Sequence, residues 1–184
     1  SQAAKKASRI AAEGVVAQYT NEDATVGVIV EVNCETDFVA KTDNFLNFAN
    51  NVAKHIAKAN PADVDALLAQ KFVDDETKTI ADLVSEATVA IGEKISIRRF
   101  ARYETAGEVS TYIHMLGKVG VLVEVATDKK CDEVKAFAHD LALQIAAAKP
   151  EAVRREEVDA SKLEKEKEIL RAQALNEGKP EKIV

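Results

Sequence analysis

At 184 residues the chain is long enough for one substantial domain or two small ones, and 47% apolar with 30% charged residues is an ordinary balance for a globular protein. A net charge of −6 argues against nonspecific binding to nucleic acid or anionic lipid as its main task, and no apolar run approaches membrane-spanning length. The basic N-terminal residues have no apolar segment behind them, so they do not read as a secretory signal.

Residues 1–13 are alanine-rich and predict a linker helix with Ala3, Ala7, Ile10 and Ala11 on one side. It lacks a capping residue, as if continuing from something upstream, and Gly14 is expected to break it. Residues 15–19 and 26–32 are rich in β-branched side chains and flank a polar loop, which predicts a hairpin. Phe45, Phe48, Ala49, Val52 and Ile56 recur at helical spacing. Asn60-Pro61 then reads as the N-cap and first position of a helix over about 61–72. Ile80, Leu83, Val84, Ala87 and Ile91 predict another helix over 77–91, closed by Gly92. Residues 94–103 alternate basic and apolar, the pattern of a half-exposed strand that completes a three-stranded antiparallel sheet.

The chain then repeats itself. Gly14-Val-Val-Ala-Gln-Tyr19 returns 93 positions on as Gly107-Glu-Val-Ser-Thr-Tyr112, and Val26-Gly-Val-Ile-Val-Glu-Val32 returns at the same offset as Val119-Gly-Val-Leu-Val-Glu-Val125. The helix set returns as Val134, Phe137, Ala138, Leu141 and Ile145, but at an offset of 89. The first copy therefore carries four extra residues in one loop, Asn33-Cys-Glu-Thr-Asp-Phe-Val-Ala-Lys-Thr-Asp-Asn44. Packing alone has no need of the longer loop, so function is expected there.

Beyond Pro150 the chain is strongly charged. Ser161 with Glu164 reads as a capping box, Leu163, Ile169, Leu170 and Ala174 supply an apolar stripe, and Asn176-Glu-Gly-Lys-Pro180 reads as a stop, a turn and a new helix start. This predicts a helical arm whose return leg is cut short. The expected class is α+β: two repeated subdomains, each a small antiparallel sheet with packed helices, plus a projecting coiled-coil arm. The expected divisions are 1–13, 14–104, 105–150 and 151–184, with the second sheet short of its third strand.

A search for catalytic chemistry finds little. His55 and His139 lie in amphipathic helices and read as partly solvated helix residues. There is no phosphate-binding glycine loop, no H-E-x-x-H and no G-x-S-x-G. Cys34 and Cys131 form no C-x-x-C pair and read as two free thiols. No cofactor, metal or small-molecule substrate is expected. Lys94, Arg98, Arg99 and Arg102 form the one basic cluster, with Arg98 and Arg102 expected on one strand face and Arg99 on the other. An RNA-binding or scaffold module using that face is the alternative function. In the long loop, Thr36 and Asp37 suit the start of a helical turn. Phe38 is then either a core anchor or an exposed aromatic beside a carboxylate, the residue types of a partner-binding hot spot.

Asn33-Cys-Glu-Thr-Asp-Phe-Val-Ala-Lys41 resembles the signature of the bacterial and organellar elongation factor Ts family. So do Ile91-Gly-Glu-Lys-Ile-Ser-Ile-Arg-Arg99 and Tyr112-Ile-His-Met-Leu-Gly-Lys-Val-Gly-Val-Leu-Val123. The resemblance implies a translation factor that is no enzyme in the bond-making sense. It would exchange guanine nucleotide on elongation factor Tu, binding the GDP-bound and nucleotide-free forms. It further implies partner contacts at Asp37, Phe38, Ile91 and His114, with Thr36, Val39 and Lys41 in the same loop. In that family the Phe wedges between helices of the GTPase near its magnesium site and loosens GDP. No membrane or direct nucleic-acid binding is implied, and the location is cytoplasmic, or matrix or stroma in an organelle. Relative to the family pattern, an N-terminal three-helix domain, the rest of the arm and the last core strand are expected to be absent. Leu116 stands where the pattern has glycine, and Lys118 where it has arginine.

Overall fold

The computed structural model describes residues 2–182. It divides into two compact units, residues 1–147 and 148–184. The fold is α+β.

In the first unit, β1 (Glu13–Thr20), β2 (Val26–Cys34) and β5 (Ser96–Glu104) form an antiparallel sheet in the order β1-β2-β5. One face of it, Val15, Ala17, Val28, Val30 and Val32, is buried against α3 (Asp43–Ala59), which contributes Phe45, Ala49, Val52, Ala53 and Ile56. This period-2 face against a period-3.6 stripe is the pattern the sequence carries. Truncating the fully buried Phe45 to alanine would cost about 3–5 kcal/mol. The helix α5 (Ile80–Ile91) closes over the same core, capped by Thr79 and ended by Gly92 at φ 87°.

Several boundaries differ from expectation. The N-terminal helix, α1, covers only Gln2–Lys6, and Ile10 beyond it is exposed. Gly14 does not end a helix: it sits inside β1, where a Cβ would lie 2.2 Å from the Val32 carbonyl oxygen. Asn60 is the C-cap of α3, in the left-handed conformation at φ 46°, and Asp63 rather than Asn60 caps the short α4 (Val64–Ala69). A hairpin of β3 (Lys71–Phe72) and β4 (Asp75–Thr79) then precedes α5, so that helix starts at Ile80. His55 is not partly solvated but fully buried. Its Nδ1 accepts the Val73 N–H at 3.2 Å, and its Nε2 lies 2.9 Å from Gln70 Oε1. That pairing leaves Nε2 to carry the proton, so a neutral imidazole pins the β3–β4 hairpin to α3. Burial holds the His55 pKa below its ordinary value, against smaller opposing effects of Gln70 and Asp74.

The second hairpin, β6 (Glu108–His114) with β7 (Val119–Val125), keeps the register of the first. Gly14 faces Asn33 and Val15 faces Val32; Glu108 faces Val125, 93 positions on for both strands. Gly107 meets the same constraint as Gly14, its Cβ position lying 2.2 Å from the Val125 carbonyl oxygen. The helix α6 (Asp132–Ala148) has the length of α3, and its buried Ala138, Ala142 and Ala146 sit 89 positions after Ala49, Ala53 and Ala57. Contacts between the hairpins come in matched pairs. Val16 N–H donates to Gly117 O at 2.7 Å, and Val109 N–H donates to Ala24 O at 2.8 Å. The position of a Gly120 Cβ abuts Val16, and that of a Gly27 Cβ abuts Val109.

In the second unit, α7 (Ala160–Asn176) has no buried residue, and Leu163, Ile169 and Leu170 are exposed. Asp159 caps it by accepting the Ser161 N–H at 2.8 Å, so Ser161 lies inside the first turn and makes no capping box. Gly178 turns the chain at φ 77°. The helix expected after Pro180 runs into Ile183 and Val184, outside the described residues.

Candidate functional site

The extra residues of the first repeat fold into a single helical turn, α2 (Asp37–Ala40), between β2 and α3. Thr36 caps it, its Oγ1 accepting the Val39 N–H at 3.4 Å. The turn sets its first two residues outward and its last two inward. Ala40 is buried and Val39 packs on the core, while Phe38 stands 80% exposed. Of the two readings open for Phe38 in the sequence, the folded chain adopts the projecting one.

This turn is held from outside its own segment. The Glu93 carboxylate accepts the backbone N–H groups of Glu35 and Thr36, both at 3.0 Å, and the Thr36 hydroxyl at 2.7 Å. In return, Glu35 accepts the Lys94 N–H at 2.7 Å. That bond, helped by Arg9, holds the Glu35 carboxyl below its usual range. Charge-assisted bonds of this kind are among the stronger ones a protein makes, so the loop is braced at its base while its apex stays open. The same brace brings the end of α5 to the loop: Ile91, half-buried, precedes Gly92 and Glu93.

Below the turn, Cys34 is fully buried and its Sγ donates to the Thr36 carbonyl oxygen at 3.2 Å. Burial, reinforced by the Glu93 charge, pushes its pKa up to about 11. Cys131 is exposed, and the two are not bonded. Asp37 and Lys41 pair at 3.1 Å across one helical turn, an exposed contact that contributes at most a few tenths of a kcal/mol.

The β6–β7 turn arrives at the same end of the first sheet. Lys118 Nζ reaches Glu13 Oε2 at 2.8 Å, and Glu13 pairs with Cys34 across β1 and β2. The bond to Glu13 raises the Lys118 pKa, with a smaller contribution from the Asp37 charge. His114 ends β6, exposed, with Nδ1 2.9 Å from the Tyr112 hydroxyl. Glu93 thus joins the α5 end, with Ile91, to the loop that carries Thr36, Asp37, Phe38, Val39 and Lys41, and the turn that follows His114 reaches the same end of the sheet through Lys118 and Glu13. Sequence reasoning missed Glu93 as the brace. It also missed Met115 and Leu116, 64% and 90% exposed, although Leu116 was visible as a departure from a glycine pattern.

The basic strand is organised differently from its alternation. A register shift opposite Glu31 and Val32 makes Arg98 an extra residue, so Arg98 and Arg99 both reach Glu31, at 3.3 and 2.7 Å. Arg102 turns instead to the backbone carbonyl of Ala57 in the last turn of α3 and to Glu104, and Lys94 to the Arg9 carbonyl. Arg98 and Arg102 therefore do not form the shared face expected of them. Among the described residues no group of three or more His, Cys, Asp or Glu is placed to hold a metal ion, and no helix is long and apolar enough to cross a membrane.

The sequence profile described as Elongation factor TS matches residues 35–184. Curated relatives agree along nearly the whole chain. The Elongation factor Ts of Clostridium perfringens (strain SM101 / Type A) is 49% identical over 183 residues, and that of Clostridium novyi (strain NT) is 47% identical. That of Clostridium botulinum (strain ATCC 19397 / Type A) is 46% identical. In each case the match covers 99% of this chain and 60% of the relative, so the chain spans well under two thirds of those proteins. The chain belongs to the elongation factor Ts family.

Proposed function

We propose that this chain is a translation factor that binds elongation factor Tu and promotes release of GDP by disturbing the GTPase's magnesium and phosphate site. Phe38 is the wedge, and Asp37, Ile91 and His114 fix its pose. The observation that carries this reading is Phe38 itself: a large aromatic held 80% in solvent at the tip of a turn anchored through three hydrogen bonds to Glu93. A fold gains nothing from an exposed Phe, whereas burying one in a partner contributes about 1.5–3 kcal/mol. The rigidity of its base matters as much. A wedge that is ordered before binding loses less conformational entropy on binding.

Exchange needs a partner that prefers the nucleotide-free GTPase, and coupling is reciprocal. Each 1.4 kcal/mol of that preference weakens GDP binding about tenfold. No bond is made or broken in this task, so no general acid, base or cofactor is called for. The test is release of labelled GDP from elongation factor Tu with and without this chain, and with Phe38→Ala. Stimulation that Phe38→Ala abolishes, at unchanged melting temperature, supports the wedge. Absence of stimulation by the parent chain, at concentrations where binding is saturated, overturns the reading.

A further inference from the structure

We propose that the β6–β7 turn, through Met115 and Leu116, is a second apolar contact for the same GTPase surface that receives Phe38. This rests on the function proposed above and extends it. Met115 and Leu116 both adopt φ 53°, a left-handed conformation that branched and long side chains rarely enter. The Lys118 N–H donates to Met115 O at 3.3 Å and closes a turn with Leu116 and Gly117 at its centre, Gly117 having φ 91°. Two central residues at positive φ call for Asn-Gly or Gly-Gly. Gly117 obeys, and must, because a Cβ there would lie 2.9 Å from Val15 Cβ. Leu116 does not obey, and its side chain is 90% exposed.

The fold recovers little of this strain through its own packing. At the other left-handed positions in the first unit the residue suits its place: Asn60 is an asparagine C-cap, and Ala24 is small and buried. At 115 and 116 two large apolar side chains are instead pushed outward. The turn that carries them is fixed by the Val16–Gly117 hydrogen bond and the Lys118–Glu13 ion pair. Strain that persists at an exposed, well-anchored turn points to a binding role. The occupant follows from position. The turn is fastened to the start of β1 by the Lys118–Glu13 pair and the Val16–Gly117 hydrogen bond, and Glu13 faces Cys34, three residues before α2, so Phe38, Met115 and Leu116 are exposed apolar groups at one end of the sheet, where Asp37, Lys41, Lys118 and Glu13 supply charge. An apolar centre with a charged rim is the make-up of a protein contact.

The experiment compares the parent chain with Leu116→Gly, Leu116→Asn, Leu116→Met and Phe38→Ala. It measures melting temperature, affinity for nucleotide-free elongation factor Tu, and GDP release. Leu116→Gly and Leu116→Asn should melt at or above the parent temperature, yet bind about tenfold more weakly and release GDP correspondingly less well. Leu116→Met should stay close to the parent. If Phe38→Ala impairs binding while both Leu116 variants stay within about twofold of the parent, the wedge stands and this inference falls. If the parent itself neither binds nor releases GDP, the proposed function fails and this inference with it.

Discussion

Glu108 occupies in the second hairpin the place that Val15 holds in the first: Val15 faces Val32 and Glu108 faces Val125, 93 positions on for both strands. Both are buried, at 6% and 3% exposure, but the carboxylate atom Oε2 of Glu108 has no hydrogen-bond partner. A buried polar atom without a partner costs roughly 1–3 kcal/mol. Glu108→Val should therefore raise stability by about that amount, seen as a melting temperature several degrees higher. A lower melting temperature would mean that the carboxylate has a use that its surroundings do not reveal.

The Glu93 brace should matter to the loop more than to the core. Glu93→Ala removes three hydrogen bonds at once, and bonds to a charged acceptor contribute about 1.5–3 kcal/mol. The expected outcome is a melting temperature lower by several degrees or more, and, at temperatures where the variant is still folded, a large fall in GDP release, because Phe38 remains present but is no longer held. Hydrogen exchange at the Glu35 and Thr36 amides, which Glu93 accepts, should quicken in the variant. Unchanged exchange there would show that the turn is held by other means.

Two cysteines should behave as two different reagents. Cys34 is fully buried with its pKa pushed up to about 11, so at neutral pH it is both shielded and protonated. Cys131 is exposed. A thiol reagent should modify one cysteine promptly in the native chain and two after denaturation. Prompt double labelling of the folded protein would contradict the packing under α2.

His55 should write a pH dependence into stability. Its pKa is lowered in the folded chain, so below the unfolded value of 6.5 the unfolded state binds the proton first. Stability should be full above pH 6.5 and decline as pH falls beneath it, until the folded form also protonates. In thermal melts from pH 8 to pH 5, the decline should be smaller in His55→Gln, which has no titrating ring. An identical slope in parent and variant would assign the effect elsewhere.

The arm offers a further check. With no buried residue in α7, its amides in 164–174 should exchange far faster than those of Val119–Val125. Equal protection in a dilute monomer would require a packing partner for Leu163, Ile169 and Leu170.

The elements most legible in the sequence were those whose pattern is set by burial. The alternation of 26–32 and the helical stripe of 45–56 each reflect one face against one core, and they return unchanged in β2 and α3. The extra loop was legible because a repeat supplies its own control. What the sequence hid was settled by single hydrogen bonds. Asn60 has the composition of either cap, and only its left-handed backbone decides. Residues 71–79 pair over too few positions to show a period. Arg98 looked like an ordinary strand residue until the register shift made it surplus. In the candidate site, Phe38 was visible as a residue type, but its exposure depends on Glu93, a carboxylate 55 positions away that no spacing rule connects to it.

The matched hydrogen bonds Val16–Gly117 and Val109–Ala24 have the form of a two-fold interface, in which residue i of one body meets j of the other and j meets i. Two identical hairpins meeting as separate molecules would make these same contacts. The chain thus behaves here as a homodimer whose subunits have been joined end to end. Joining them frees each half to diverge, since a change on one side need no longer appear on the other. The wedge loop on one half and Leu116 on the other are such changes. They sit together because the dyad brings the loop of one half to the hairpin turn of its twin.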